Sequence, residues 1–363
     1  MNLSKILKKV DFSIEKELLS QIKKDTKDIV SLLNKEIKKR KEKARVFVGG
    51  SFAKGTISKS KEYDIDIFVR FEDKNKDISK HLEKIVNSLK NKYKIERVHG
   101  SRDYFKVFKT KKITFEIIPV MKIKKPEEAE NVTDLSYFHV NYVKREMNNK
   151  LAREVRIAKQ FFKAQKFYGA EGYIQGFSGY GVECLIIYFK SFEKMIKEIL
   201  KGKDKIIIDP KKHYKNKNDV LIHINESKLQ SPIILVDPTW KGRNVLAALS
   251  NETFLRFKEI ANKLIVNPKL EYFEEKSLDE EAFRDNAKKN NAEMAKIYLE
   301  TNKQQGDIAG TKLKKFSRFI RNELEKYFNI VEMEFEYDGE RKAKVYFVLK
   351  SKGEIERKGP PVN

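Results

Sequence analysis

The stretch that most constrains the fold is GGSFAKGTISKSKEYDIDIF, at residues 49–68. Two glycines and a serine form a small-residue turn, and Asp64 and Asp66 lie two residues apart in the apolar run that follows. Because residues i and i+2 of a strand share a face, both carboxylates point the same way while Ile65, Ile67 and Val69 point into a core. Two adjacent carboxylates repel each other unless something neutralises them. The stretch therefore predicts a strand that presents two acidic groups to a cation.

The neutralising group that this pattern favours is a divalent metal ion. Carboxylate oxygens suit Mg²⁺, which usually keeps waters and substrate phosphate oxygens as its other ligands. A two-metal phosphoryl-transfer site needs a further carboxylate, and Glu116 in ITFEIIPV is the candidate because an ionised Glu among apolar neighbours is costly to bury alone. We predict that Asp64, Asp66 and Glu116 bind Mg²⁺; the alternative for the two aspartates is a solvated edge strand.

The glycine turn supplies the second half of such a site. Gly49 and Gly50 let the backbone approach a phosphate closely, and Ser51 offers a hydroxyl and an N–H. A helix predicted to begin near Ser51 would favour anionic phosphate at its N-terminus, and Lys54 can reach the same anion. A strand, a GGS turn, a helix and a second strand with D-x-D about 13 residues after the serine resemble the nucleotidyltransferase signature of the DNA polymerase β superfamily.

Charge and composition narrow the class of partner. The 363 residues are enough for two or three domains, and 78 Lys and Arg against 53 Asp and Glu give a net charge of +25. Such a surplus favours a polyanion partner, most often nucleic acid, with a lysine-rich proteome as the alternative. The single cysteine, Cys184, has no disulfide partner and no zinc spacing, so we expect a buried small hydrophobe. Because no run of about 18 apolar residues occurs, we expect a soluble, cytoplasmic protein without a membrane partner.

Hydrophobic periodicity predicts an α+β region over roughly the first 120 residues. Its predicted elements are a helix over 14–40 with a break near Asp25, strands at 45–48 and 64–71, a helix over 77–93 and a β-hairpin over 104–120 that turns near residues 110–112. This order predicts helices packed on a small mixed sheet.

The rest of the chain is predicted to be mainly helical, followed by a separate α+β unit. Its predicted elements are helices over LSYFHVNYVKREM, LAREVRIAKQFFKAQ and GYGVECLIIYFKSFEKMIKEIL, a loop-like segment over 203–220 with a short apolar run, a strand or extended segment at 232–238, a helix over 251–265 with an Asn N-cap, a strand in AEMAKIYLET, a helix over 311–328 and a hairpin over 331–350 with a DG turn. The last three form a strand–helix–strand–strand order, which suits a small sheet covered by helices.

Longer segments make the resemblance more specific. The chain resembles the archaeal, class I, tRNA CCA-adding enzymes over nearly its whole length. The matching segments are VGGSFAKGT with YDIDIFVRF, FEIIPV, DLSYFHVNYV, VRIAKQFFKAQKFYGAEGYIQGFSGYGVECLIIYFKSFE, VDPTWKGRNVLAALS and KGPPV. The resemblance implies a catalytic head over 1–138, a helical neck over 139–257 that selects the nucleotide, and an α+β body over 258–363 that grips tRNA, with a tail shortened or missing.

The resemblance also implies a reaction and its residues. Members of this family add C, C and A to a tRNA 3′ end without a template, by attack of the 3′-hydroxyl on the α-phosphate of CTP or ATP with loss of pyrophosphate. Asp64, Asp66 and Glu116 occupy the metal-ligand positions. The implied nucleotide-binding residues are Gly50, Ser51, Lys54, Ser136, His139, Lys159, Tyr168 and Arg243. Arg243 matches an arginine that reads the base edge, and the others match the triphosphate contacts. Without the resemblance, several of these would be interpreted as core or solvated surface residues.

Three departures from the family pattern stand out. Glu116 replaces the usual Asp, Ser136 replaces the usual Thr, and the chain ends just after KGPPV, where the family typically continues. A truncated chain, a naturally reduced enzyme and one half of a split protein all remain open, as do a homodimer and a separate tail polypeptide as partners.

Two other functions stay open beside CCA addition. One is an enzyme that adds only A, only C or a poly(A) tail, and the other is a non-catalytic RNA-binding relative. The three carboxylates, the glycine turn and Lys54 argue against the second.

Overall fold

The computed structural model describes residues 3–73, 77–275 and 278–354. The segment KGPPV at 358–362, and with it the end of the predicted body, lies outside the described residues. The chain divides into two units, residues 1–168 with 177–273 and residues 169–176 with 274–363. The predicted α+β class is confirmed. The finer division into head, neck and body stays a prediction.

The first unit begins with helices and a five-stranded sheet. Its elements are α1 (Leu3–Lys9), α2 (Lys16–Lys39), β1 (Ala44–Val48), α3 (Gly50–Ala53), β2 (Tyr63–Phe71), α4 (Ile78–Val86), β3 (Lys94–Val98), β4 (Tyr104–Phe108) and β5 (Ile113–Met121). The strand order is β1-β2-β5-β4-β3, and only the β2–β5 pair among these neighbours is parallel. The two strands that carry the predicted metal ligands are therefore direct neighbours.

Two expectations for this region were wrong. Helix α2 runs unbroken through Asp25, because the Asp25 carboxylate accepts a hydrogen bond from Gln21 at 2.9 Å and pairs with Lys109 at 3.1 Å. The helix predicted over 77–93 ends at Val86 and a short 3₁₀ turn, and the chain then forms β3. This edge strand is mostly exposed, so it lacks the apolar alternation that reveals a strand.

A helical region with a small second sheet completes the first unit. Its elements are α5 (Ser136–Glu146), α6 (Asn149–Ala164), α7 (Gly179–Phe189), α8 (Phe192–Lys201), β6 (Ile206–Ile208), α9 (Lys217–His223), β7 (Ile233–Asp237), β8 (Trp240–Asn244) and α10 (Asn251–Val266). Helix α7 is apolar almost all round and forms the centre of the core of this region. Cys184 lies there as a free, buried thiol, as expected.

The structure corrects three details of this region. The long helix predicted from residue 179 is two helices, because Lys190 takes a left-handed conformation (φ +70°) and Ser191 caps α8. The segment 203–220, expected to be loop-like apart from a short apolar run, forms β6 at that run and contains the start of α9. The N-cap of α10 is Ser250, whose side chain accepts from the backbone of Thr253, and not the adjacent Asn.

The second unit has the predicted strand–helix–strand–strand order after an additional helix. Its elements are α11 (Glu280–Lys289), β9 (Glu293–Glu300), α12 (Gly306–Leu324), β10 (Phe328–Tyr337) and β11 (Lys342–Ser351). The strands pair antiparallel in the order β10-β11-β9, and Gly339 (φ +86°) lies in the turn between β10 and β11. Across the described parts of both units, no helix has the length and apolar character needed to cross a membrane.

Candidate active site

Two predicted metal ligands lie side by side on β2 and β5. Asp66 is directly paired with Glu116. Asp64, two residues earlier on the same face, is paired with Thr114. Lys106 of β4 lies opposite Glu116 on its other side, with 3.3 Å between the ammonium and the carboxylate. Burial raises the pKa of Asp66 to about 6 and, together with repulsion from the neighbouring aspartates, raises the pKa of Glu116 to about 7. The sheet thus concentrates negative charge on one face.

The glycine turn (Gly49–Ser51) lies against Asp66. The Gly49 N–H donates to the Asp66 carbonyl at 2.9 Å, which fixes the turn on β2. Gly50 has φ +60°, and a Cβ at this position would lie 1.6 Å from the Asp66 carboxylate oxygen Oδ2. Both the conformation and the space therefore require glycine at residue 50. The turn and the carboxylate are therefore held in close contact.

Lys54 and Lys159 meet at a carboxylate that the sequence analysis did not single out. The lysine cluster consists of Lys54, Thr56, Lys159 and Glu183. The two carboxylate oxygens of Glu183 lie 2.6 Å from the Lys54 ammonium and 3.0 Å from the Lys159 ammonium. The Thr56 hydroxyl donates to Glu183 at 2.5 Å and accepts from Lys159 at 3.1 Å. Although burial opposes it, the charges of Lys159 and Lys54 lower the pKa of Glu183 to about 2, so this carboxylate is ionised.

His139 and Arg243 also meet at a buried carboxylate. The histidine cluster consists of His139, Tyr180, Asp237 and Arg243. Asp237 Oδ2 lies 3.0 Å from His139 Nε2 and 2.7 Å from Arg243 Nη1, and the Tyr180 hydroxyl donates to Oδ1 at 3.1 Å. The His139 ring stacks on Tyr180 with 3.9 Å between ring centres. Burial lowers the pKa of His139 even though the hydrogen bond to Asp237 acts in the opposite direction, which favours a neutral imidazole.

The carboxylates and the two clusters are electrostatically connected. The Lys54 ammonium lies 5.9 Å from the centre of the Tyr180 ring, which links the lysine cluster to the histidine cluster. The charge of Lys54 also opposes the burial that raises the pKa of Asp66, and it adds to the burial that lowers the pKa of His139. Asp66, the lysine cluster and the histidine cluster are therefore electrostatic neighbours within the first unit.

A pocket of about 230 Å³ opens beside the glycine turn. Its lining includes four predicted site residues: Ser51, Asp64, Lys159 and Tyr168. The Tyr168 hydroxyl closely approaches Gly179, where a Cβ would lie 2.6 Å away, so the start of α7 is packed against this ring.

Ser136 is placed by the turn that precedes it. This residue begins α5 and is half-buried. Asn131 and Asp134 form a capping box just before it, and Asp134 accepts from the Met121 N–H at 2.7 Å. The start of α5 is thereby attached to the end of β5, the strand that carries Glu116.

The carboxylates of Asp64, Asp66 and Glu116 are chemically suitable ligands for a divalent cation, although these side chains do not converge on one point. Within the described ranges, no three His, Cys, Asp or Glu side chains stand close enough together to hold a metal ion. Asp64 is exposed, and Glu116 is engaged by Lys106. The strand register nevertheless places three carboxylates on one face, where burial and mutual repulsion raise the pKa of Asp66 and Glu116 although Lys54 and Lys106 act in the opposite direction. Their ionised forms therefore need further neutralising charge. A hard cation would satisfy that need.

Glu183 and Asp237 are the site residues that sequence reasoning missed. Glu183 lies alone in the apolar segment VECLIIYF, and Asp237 ends the apolar strand β7. Both are completely buried. An ionised carboxylate in an apolar segment needs a cation, and this argument, which was applied to Glu116, would also have identified both residues. His139 lies 98 positions from Asp237, and Lys54 lies 129 positions from Glu183. Pairs so far apart in the sequence give no local signal.

Comparisons with known proteins define the class. Residues 153–274 match the family model of the tRNA nucleotidyltransferase second domain, and residues 1–137 match the Second Messenger Oligonucleotide or Dinucleotide Synthetase domain. A cytoplasmic RNA terminal U-transferase superposes with a TM-score of 0.56 at 12% identity, covering 76% of this chain and 98% of the other. CdnC of E. coli MS115-1 with ATP superposes with a TM-score of 0.53 at 14% identity, covering 75% and 95%. The fold is that of a polymerase-β-type nucleotidyltransferase.

Sequence relatives give the family within this class. The CCA-adding enzyme of Nanoarchaeum equitans is 40% identical over 284 residues, which cover 77% of this chain and 67% of the relative. The CCA-adding enzymes of Saccharolobus islandicus (strain Y.G.57.14) and Sulfurisphaera tokodaii are 32% and 31% identical, and each alignment covers 72% of this chain and 61% of the relative. The chain belongs to the family of archaeal CCA-adding enzymes. It spans between 61% and 67% of the length of these curated relatives.

Proposed function

We propose that this chain adds C, C and A to the 3′ end of tRNA, using CTP and ATP and no template. The observation that carries the proposal is the contact of the glycine turn with Asp66, beside Glu116 and the two cationic clusters, in a chain of this family. In the proposed reaction the tRNA 3′-hydroxyl attacks the nucleotide α-phosphate. A new oxygen–phosphorus bond forms and the hydroxyl proton is released, as the bond to pyrophosphate breaks.

We propose that Asp64, Asp66 and Glu116 hold the divalent cation, and that it is Mg²⁺. When bound, such an ion would supply positive charge to the reacting phosphate and to the leaving pyrophosphate. Glu116 pairs with Lys106 at 3.3 Å, so the cation and Lys106 would compete for this carboxylate. Glu is one methylene longer than the Asp usual in the family, which gives Glu116 the reach to serve either partner.

The predicted nucleotide contacts divide into two groups. Lys54, Ser51 and the backbone of Gly50 would contact the triphosphate, with Ser136, His139 and Tyr168 as further predicted contacts. The planar Arg243 guanidinium, anchored on Asp237 at 2.7 Å, would present its remaining donors to the base edge. Lys159 would contribute mainly charge, because Glu183 and Thr56 already accept its hydrogen bonds.

The proposal for tRNA binding rests on charge. The net charge of +25 would attract the phosphate backbone, and we assign tRNA binding chiefly to residues 258–363 and nucleotide selection to residues 139–257. A cytoplasmic location, a homodimer and a separate tail polypeptide stay predictions.

Single-nucleotide extension tests the proposal. A tRNA lacking its 3′ CCA is incubated with the full chain and Mg²⁺, first with CTP, then with ATP, then with both. We expect two C and then one A, with no further addition. Asp66→Asn should abolish incorporation, whereas Asp28→Asn, which changes an exposed aspartate on α2, should not.

Other outcomes would select other functions. Addition of one nucleotide type alone, or runaway addition, would indicate a partial or poly(A)-adding enzyme. Nucleotide oligomers formed from ATP without any tRNA would favour the activity named in the family model that matches residues 1–137. Binding of tRNA without any incorporation would favour a non-catalytic relative.

A further inference from the structure

We propose that Glu183 is a positioning residue of the nucleotide site: this one buried carboxylate sets where the Lys54 and Lys159 ammonium groups stand before a nucleotide arrives. The inference rests on the proposed function in one respect, that the site takes a nucleoside triphosphate. The contacts of Glu183 within the lysine cluster support this role.

The contacts of Lys159 carry the first step. Its ammonium lies 3.0 Å from Glu183 Oε1, 3.1 Å from the Thr56 hydroxyl and 3.4 Å from the Thr56 carbonyl. An ammonium group has three N–H donors, so these acceptors account for all of them. Lys159 is also 3% exposed. Its position is therefore set by protein acceptors, chiefly the charged one.

The second step is that Glu183 joins separate segments of the chain. Glu183 lies on α7 and Lys159 on α6, whereas Lys54 and Thr56 follow the glycine turn of the sheet region. The Thr56 N–H also donates to the Ser51 carbonyl at 2.9 Å, so the cluster is tied back to the turn itself. One carboxylate thus fixes the helices against the turn that contacts Asp66.

The third step is the sign of the charge effect. A carboxylate beside an anion-binding site repels phosphate, so a purely electrostatic Glu183 would weaken nucleotide binding. Its removal would then tighten binding. If Glu183 instead positions the lysines, loss of its charge leaves the buried Lys159 ammonium and the largely buried Lys54 ammonium without their shared anionic partner, and one or both move. Removal would then weaken binding, which is the opposite sign.

The experiment is direct titration of the full chain with Mg·ATP, without tRNA. We expect Glu183→Gln, which keeps the shape and removes the charge, to raise the Kd tenfold or more. The matched control is Glu193→Gln on α8, the next helix. Glu193 pairs with the exposed Lys197 at 2.6 Å, and the loss of its charge should change the Kd less than twofold. In a Lys54→Met background the effect of Glu183→Gln should shrink, because one of the groups it positions is gone.

The inference is overturned if Glu183→Gln has a Kd equal to or lower than that of the wild type. It is also overturned if Glu183→Gln raises the Kd as much in the Lys54→Met background as it does in the wild type. Thermal unfolding of each variant shows whether it is folded at the titration temperature. If Glu183→Gln is unfolded, Thr56→Val replaces it, since this change removes the hydroxyl between Lys159 and Glu183 and leaves every charge in place. It should raise the Kd several-fold, and no change would overturn the inference.

This inference and the proposed function fail in distinguishable ways. If the wild type binds Mg·ATP and Glu183→Gln binds it equally well, the inference fails while tRNA extension can still succeed. If Glu183→Gln binds more weakly but the wild type extends no tRNA, the inference holds and the proposed function fails. If the wild type binds no nucleoside triphosphate, both fail.

Discussion

Replacing Gly50 by alanine tests the contact on which the active-site assignment depends. The change introduces two separable effects: a residue with a side chain at φ +60°, and a methyl group 1.6 Å from the Asp66 carboxylate. Gly55 provides a matched control on the same loop. It has φ +69°, but a Cβ there would meet nothing within 4 Å. Gly55→Ala therefore isolates the backbone strain.

The expected magnitudes follow from these distances. The left-handed conformation costs about 1–2 kcal/mol for a residue other than glycine, and each kcal/mol lowers the unfolding midpoint by about 2–4 °C in a domain of 150–250 residues. Both variants should show this loss. In Gly50→Ala the Asp66 oxygen must in addition retreat from 1.6 Å to the contact distance of 3.4 Å. Displacement of a reacting group by about 1 Å can cost about 100-fold in rate, so we expect at least that loss of turnover.

The assay measures single-turnover CTP addition, tRNA affinity and thermal unfolding for both variants. Gly55→Ala should keep turnover within about threefold of the wild type while losing stability, since its strain acts on the fold alone. Gly50→Ala should lose turnover and keep tRNA affinity. If Gly50→Ala retains turnover equal to that of Gly55→Ala, the close approach of the turn to Asp66 is not a requirement of the site, and the reasoning is refuted.

Three further predictions address tRNA binding and the two buried carboxylates. The tRNA Kd should rise steeply with salt, because lysine and arginine contacts to phosphate release counterions; a Kd that is flat between 50 and 200 mM salt, measured by filter binding, would contradict the assignment. Asp237→Asn should lower the free energy of unfolding by about 3 kcal/mol in chemical denaturation, since Arg243 loses a buried charged partner, and an unchanged midpoint would contradict this. The folded-state pKa of Glu183, about 2, lies below its usual value of 4.5, so its ionised form stabilises the fold above pH 4.5 and this contribution is lost as the pH falls towards 2. The difference in unfolding free energy between wild type and Glu183→Gln should therefore narrow over that range, and a constant difference would show that the pKa is not lowered.

The fold was predictable where local pattern and tertiary packing agree. Strand β2 alternates buried and outward residues, and its bounds match the prediction within one residue. The edge strand β3 and the short strand β6 were missed because three to five residues give too little alternation to distinguish a strand from a loop. The split between α7 and α8 was missed because Lys190 is a strong helix former, so its left-handed conformation has no signal in the sequence.

The site was predictable to the extent that its residues lie in short motifs. The glycine turn, Asp64 and Asp66 are close in sequence, and the contact between Gly50 and Asp66 follows from a strand, a tight turn and a second strand paired antiparallel. Glu116 needed one further step, the parallel pairing of β2 with β5. Arg243 lies on β8, which only two residues separate from β7, so the two strands are hard to distinguish in the sequence.

One physical argument explains the presence of both buried carboxylates, Glu183 and Asp237, although the local sequence does not show it. Lys159 and Arg243 are predicted to meet an anionic nucleotide, yet each must also be accommodated when none is bound, and a desolvated cation without a partner is costly. Glu183 and Asp237 provide that partner from inside the protein, at 3.0 and 2.7 Å. The lysine cluster then keeps one net positive charge, because two ammonium groups share one carboxylate, and Asp66 lies close enough to feel both. Under the proposed function, an incoming triphosphate would meet cations that are already fixed in place, with the positive excess on the side of the carboxylates where the reaction is proposed to occur.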